Sequence, residues 1–267
     1  TYLVDSGNDG IVVNGTTGES PTTTDAEKDV VLRATLEAVG DRAFVIAGTG
    51  NNDTRHSIEQ SQAAEKAGAH GLLLVCPYYN KPPQSGLRAH FTAISDATGL
   101  PVMLYDIPHR TGVAVEPDTL VALAEHPRIV AVKDAKGNVV AASSVMARCD
   151  LVYYSGDDVY TLPLLSVGAV GLVSVVAHVV AERLAHLIDA FAAGDHDGAL
   201  AEHRSLLPVF TGIFRTQGAI LTKAALNQLG LPGGPVRLPL PDATAAEIAQ
   251  LRLDLAAGGV AGFGSGA

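Results

Sequence analysis

The residue with the most chemical potential closes an apolar run: Ile129, Val130, Ala131 and Val132 lead straight into Lys133. Such a run reads as a buried strand of a parallel sheet, with the lysine at its carboxyl end. Water is scarce there, and desolvation disfavours the charged ammonium. An amine with a lowered pKa is a nucleophile near neutral pH and can form a Schiff base with a carbonyl compound. A lysine in that place can equally mark the strand end and snorkel into water, so its neighbours decide. Alternation along the strand predicts Ile129, Ala131 and Lys133 on one face, and Val130, Val132 and Asp134 on the other.

Three other segments carry groups suited to that chemistry. Gly15-Thr16-Thr17-Gly18-Glu19 offers two hydroxyls and several backbone N–H groups at a strand end, a turn able to hold a small carboxylate. It has neither a complete G-x-G-x-x-G nor a P-loop lysine, so a nucleotide phosphate is a poor fit. Tyr105 ends the stretch Pro101-Val102-Met103-Leu104-Tyr105, and a phenol polarised by neighbours is a workable acid–base group. Arg110, on the loop that follows, can grip a carboxylate bidentately. Tyr79 lies in the proline-containing loop 77–83 and could serve a site or anchor an interface. Each has a plainer alternative: a packing tyrosine, a solvated arginine, an ordinary turn.

The elements that must position these groups alternate. Strands are predicted to start near residues 11, 43, 71, 101, 129, 151 and 169, with helices between them. That spacing fits successive right-handed βαβ units, in an α/β fold that is either an open doubly wound sheet or a (β/α)8 barrel. The polar clusters, Thr16–Thr17, Tyr79, Tyr105, Lys133, Ser155 to Asp158 and Ser174, fall at or just beyond strand carboxyl ends. A barrel gathers all those ends around one pocket, so a TIM barrel is the expected fold. Seven strands are counted where eight are needed, and the first strand is expected to be missing. Residues 1–194 are predicted to form the barrel and 195–267 a C-terminal helical extension. The Gly-rich end, 258–267, is expected to fray.

Composition removes several function classes. A net charge of -10, with no basic run, argues against a nucleic-acid surface. No apolar stretch reaches the length of a membrane span. The two cysteines, Cys76 and Cys149, read as free thiols of a cytoplasmic protein. The nine histidines form no zinc signature, and no metal site is expected.

GTTGES at 15–20, CPYYNKPP at 76–83, LYDIPHRTG at 104–112, AVKDAKG at 131–137 and SGDD at 155–158 stand in one order along the chain. Together they resemble the dihydrodipicolinate synthase family of the class I pyruvate aldolases. The resemblance implies a barrel with a C-terminal helical extension, a homotetramer built as a dimer of dimers, and no metal or organic cofactor. It implies that Lys133 forms the imine with pyruvate and that Tyr105 moves protons. Thr17 and Tyr79 would complete the relay, Tyr79 from a neighbouring subunit. Thr16 and Thr17 would hold the pyruvate carboxylate, with the Val173 carbonyl against the bound substrate. Arg110 would hold the second substrate, aspartate 4-semialdehyde. Sister activities (N-acetylneuraminate lyase, 2-keto-3-deoxy sugar acid aldolase) and a non-catalytic barrel are the alternatives. At interface positions where lysine-sensitive relatives carry two histidines and a glutamate, this chain has Asp25, Lys28 and His56, and weak lysine inhibition is expected.

Overall fold

The computed structural model describes residues 1–263. Among them, seven strands run β1 (Gly10–Val13), β2 (Phe44–Gly48), β3 (Gly71–Val75), β4 (Val102–Asp106), β5 (Ile129–Asp134), β6 (Val152–Ser155) and β7 (Gly171–Leu172). Helices α1 (Tyr2–Asp5), α2 (Asp25–Val39), α3 (Thr54–Ala67), α4 (Gln84–Asp96), α5 (Pro108–Thr111), α6 (Pro117–Leu123), α7 (Val139–Met146) and α8 (Thr161–Leu165) are interleaved with them. Four more follow: α9 (Ala177–Ala192), α10 (His196–Ile213), α11 (Gly218–Gln228) and α12 (Ala245–Ala257). Local signals set several boundaries. Thr24 and Glu27 close a capping box at the start of α2, and Thr244 with Glu247 closes another at α12. Asp53 caps α3 by accepting from the N–H groups of Arg55 and His56.

All ladders are parallel, and the strands pair in sequence order from β1 to β7. A doubly wound sheet reverses its strand order at a switch point; this one never does. Side chains alternate between two apolar clusters. Leu72, Leu74, Val102, Leu104, Val132 and Tyr153 face the helices. Leu73, Met103, Tyr105 and Ala131 face inward, packed with Val12 of β1, Ile46 of β2, Tyr154 of β6 and Val173. Val12 of β1 and Val173, directly after β7, contributing to one inner cluster means that the sheet curls on itself in the manner of a TIM-type barrel. Among the described residues no ladder joins β7 to β1. A third cluster is built from α9, α10, α11 and α12 around Leu184, Leu206, Val209, Phe210 and Leu251.

Three expectations are corrected. Ile129 does not share a face with Ala131 and Lys133. The register slips between Val102 and Met103, which pair with Ile129 and Ala131, so Val130 bulges out 43% exposed and Ile129 turns toward the helices. The seventh strand, expected from Ala169 to Val175, covers only Gly171–Leu172, because Ser174 and Val175 leave the sheet direction to bond the Asp158 carboxylate. The Gly-rich end is packed as far as it is described: Val260 and Phe263 are buried against the third cluster. Residues 264–267 of that prediction lie outside the described residues.

Candidate active site

The carboxyl ends of the strands open into one cavity of about 830 Å³, lined by residues of the strand-end loops and of the C-terminal helices. Thr16, Thr17, Tyr105, Arg110, Lys133 and Val173 all line it. Tyr105 and Lys133 are register partners on adjacent strands, so their side chains point the same way. The Lys133 Nζ lies 4.1 Å from the centroid of the Tyr105 ring. Gly156 makes room for this arrangement. A Cβ there would stand 2.9 Å from the Lys133 Cγ and 3.1 Å from its Cε.

Electrostatics tune both groups. Burial lowers the Lys133 pKa to about 8, the Asp158 carboxylate opposing and the Arg110 guanidinium reinforcing the shift. At pH 7 that leaves roughly 300-fold more free amine than the ordinary value of 10.5 allows. Burial pushes the Tyr105 phenol up to about 12, with Arg110 pulling it down and Asp157 raising it. It therefore stays protonated and able to donate near neutral pH. Burial likewise raises Asp158 to about 6, against the hydrogen bonds it accepts from the Ser174 hydroxyl and the Val175 N–H.

The Thr16–Thr17 turn follows β1, and left-handed residues stand on either side of it: Asn14 at φ 58° and Glu19 at φ 59°. Asn14 is held by its side-chain amide, which donates to the Lys28 carbonyl at 3.2 Å. The Val173 N–H donates to the Ser155 carbonyl at 2.8 Å, which fixes the chain at the cavity wall. Arg110 sits on the exposed short helix α5, opened by Pro108 and closed by Gly112 at φ 79°.

Tyr79 is the one predicted residue that the single chain leaves outside the cavity. It is 89% exposed, and its backbone holds φ 73°. A left-handed aromatic residue is an outlier; here the Tyr79 N–H donates to the Thr111 carbonyl at 3.3 Å. At the expected regulatory positions, His56 Nε2 lies 3.0 Å from Asp25 Oδ2, and Lys28 Nζ lies 3.8 Å from Asp25 Oδ1.

A polar cluster that the sequence did not single out lies behind Lys133 and Tyr105. Asp106 and Asp134 directly follow Tyr105 and Lys133, pair in register, and are buried on the opposite face. The Lys136 ammonium reaches Asp106 Oδ2 at 2.9 Å and Asp134 Oδ2 at 3.8 Å. The Val115 N–H donates to Asp106 at 3.0 Å. Burial raises Asp106 to about 6, with Lys136 opposing. Only spacing could have revealed this cluster: each carboxylate sits one residue past a candidate reactive group. Among the described residues no group of three or more His, Cys, Asp or Glu side chains is placed to hold a metal ion. No helix is long and apolar enough to cross a membrane.

A buried amine beside a phenol, with hydroxyls and a guanidinium around the same cavity, is equipped to capture a small keto acid covalently. Comparison with known proteins points the same way. The family model described as the dihydrodipicolinate synthetase family matches residues 1–257. The 4-hydroxy-tetrahydrodipicolinate synthase of Acidothermus cellulolyticus is 68% identical over 267 residues, covering 100% of this chain and 87% of its own length. Among solved structures, dihydrodipicolinate synthase from Cyanidioschyzon merolae with lysine bound superposes with a TM-score of 0.95 at 44% identity, over 97% of this chain and 89% of its own. The chloride-inhibited enzyme of Acinetobacter baumannii complexed with pyruvate gives a TM-score of 0.92 at 35% identity, over 97% and 90%.

Proposed function

The chain belongs to the dihydrodipicolinate synthetase family, and from that premise and the cavity we infer that it is a 4-hydroxy-tetrahydrodipicolinate synthase. It is a lyase that condenses pyruvate with L-aspartate 4-semialdehyde through a lysine Schiff base, in the biosynthesis of diaminopimelate and lysine. The observation that carries this reading is the buried Lys133 amine 4.1 Å from the Tyr105 ring centroid, in the cavity that Thr16 and Thr17 also line.

The residue roles follow from the chemistry. The free amine of Lys133 attacks C2 of pyruvate, and the carbonyl oxygen takes up protons and departs as water. Tyr105 donates and recovers protons at that oxygen, a task suited to a phenol kept protonated by burial. The protonated imine is an electron sink, so the methyl group loses a proton and becomes an enamine carbon. That carbon attacks the aldehyde of the second substrate. The substrate's own amine then attacks C2, closes the ring and displaces Lys133. Thr16 and Thr17 hold the pyruvate carboxylate, the Val173 carbonyl lies against bound pyruvate, and Arg110 holds the carboxylate of the semialdehyde. Holding both reactants in one cavity replaces an encounter in solution by an oriented reaction. The imine itself supplies the activation, and the scheme needs no metal or organic cofactor.

Tyr79 joins Thr17 and Tyr105 in the proton relay from a neighbouring subunit. Support for this comes from its 89% exposure and its left-handed backbone, which present a ring with no place in its own chain's cavity. The assembly in this reading is a homotetramer, a dimer of dimers, working in the cytoplasm. Its subunit is a (β/α)8-type wall with the position between β1 and β7 unfilled by the described residues. In this reading residues 1–194 form that wall and 195–267 the extension, while α9 packs Ala177, Val180, Ala181 and Leu184 into the cluster of the C-terminal helices.

The test is borohydride reduction in the presence of pyruvate, followed by peptide mapping. A stable adduct on Lys133, absent from Lys133→Ala, supports the reading; an adduct elsewhere, or none, contradicts it.

A further inference from the structure

The third apolar cluster meets the Thr16–Thr17 turn through one buried acid. Glu19 follows that turn, is only 8% exposed, and holds φ 59°, a conformation that a glutamate adopts rarely. Its N–H donates to the Thr16 carbonyl at 3.0 Å, so any movement of Glu19 is felt at Thr16. Both carboxylate oxygens are engaged from the far side of the cavity. The Lys223 ammonium on α11 donates to Oε2 at 2.5 Å, and the Arg237 N–H donates to Oε1 at 2.6 Å.

The partners are themselves tied down. Lys223 also donates to the Pro235 carbonyl at 2.6 Å. The Arg237 guanidinium reaches the Thr22 carbonyl at 3.1 Å and both oxygens of Glu27, at 3.0 and 2.7 Å. The segment from Pro235 to Arg237 is thereby stapled across the residues that follow the turn. Burial works to raise the Glu19 pKa, but the Lys223 and Arg237 bonds outweigh it and hold the carboxyl below its usual range. A buried carboxylate with two charge-assisted or backbone donors is rigid. A hydroxyl pair carried on a left-handed turn needs that rigidity to keep its aim.

We propose that Glu19, clamped by Lys223 and the Arg237 backbone, is a positioning residue for the carboxylate-binding hydroxyls of Thr16 and Thr17. The C-terminal helices are by this account a working part of the keto-acid site. The proposal rests on the Schiff-base reading above and deepens it: Glu19 touches no substrate and acts on the turn alone. Loosening the clamp weakens capture of the keto acid while leaving the Lys133 amine, the Tyr105 phenol and the semialdehyde contacts as they are.

The test measures the pyruvate concentration that gives half-maximal borohydride trapping on Lys133, together with steady-state kinetics, for the parent, Lys223→Met, Glu19→Gln and Lys223→Arg. In Lys223→Met and Glu19→Gln the half-saturating pyruvate concentration rises about tenfold, the scale expected for a misaimed binding group. The rate at saturating pyruvate and the KM for the semialdehyde stay within about threefold, the split that marks lost ground-state binding of one substrate. Lys223→Arg, which keeps the charge, restores most of the affinity. Thermal melts identify any variant that has not folded, and the remaining one then carries the comparison. A folded variant whose pyruvate half-saturation is unchanged, or whose two KM values rise together, overturns the proposal. Failure of the parent itself to be trapped on Lys133 would instead remove the reading on which the proposal stands, a result distinct from failure of the clamp alone.

Discussion

At the scale of single residues, the site depends on one amine kept partly neutral. The burial that lowers Lys133 to about 8 also sets its pH dependence. Below that value the amine is protonated and idle, so kcat/KM for pyruvate climbs about tenfold per pH unit and levels off above about 8. A stopped-flow profile of imine formation checks this. Asp158 opposes the shift, so Asp158→Asn should move that limb to lower pH, and an unmoved or raised limb contradicts the assignment. Gly156→Ala brings a methyl group 2.9 Å from the Lys133 Cγ, which forces the side chain aside. Such a variant should fold and melt near the parent yet lose most borohydride trapping. That Lys133, Tyr105, the threonine turn and Arg110 gather at one cavity was legible in the sequence because each closes or follows an apolar strand. Gly156, Asp158 and Glu19 were not assigned roles, because their importance lies in contacts made across the fold.

At the scale of elements, the two faces of the sheet have different work. The outer face supplies stability through large apolar side chains such as Leu104, which is fully buried. Leu104→Ala should cost about 2–5 kcal/mol in denaturant unfolding, without changing which lysine is trapped. The inner face packs Leu73, Met103, Tyr105 and Ala131 and ends in Lys133 at the cavity. The alternation of strands and helices was readable from continuous apolar runs and glycine-bounded loops, and the start of α2 from the Thr24 capping box; the matching box at Thr244 emerged only in the structure. The bulge at Val130 was not readable, since an extra residue in one ladder leaves the apolar run unbroken in sequence. Nor was the early end of β7, which is set by the Asp158 carboxylate, 16 residues before Ser174 in the sequence. Behind β4 and β5, one ammonium serves two buried carboxylates that face each other in register. Removing it as Lys136→Met should destabilise the fold strongly, because both acids would be left buried without a cation.

At the scale of the whole molecule, the proposal places a complete site only in an assembly, since Tyr79 stands outside its own chain's cavity. Mixing inactive Lys133→Ala subunits with Tyr79→Phe subunits, under conditions that allow exchange, should recover activity that neither has alone. No recovery in a mixed assembly verified by native mass spectrometry would contradict a shared site. Asp25 holds the Lys28 ammonium at 3.8 Å and the His56 ring at 3.0 Å, and by the family resemblance these are positions at which an added positive charge would repel a cationic amino acid. Millimolar lysine is therefore expected to leave the rate nearly unchanged in a coupled assay, and strong inhibition would refute this.

The most direct measurement joins these scales: borohydride reduction of the parent protein with pyruvate, mapped by peptide mass spectrometry, at pH values on both sides of 8. One adduct confined to Lys133, formed faster as the pH rises toward 8, is the predicted result. Reduction that leaves Lys133 unmodified, or that marks surface lysines equally, would contradict the account.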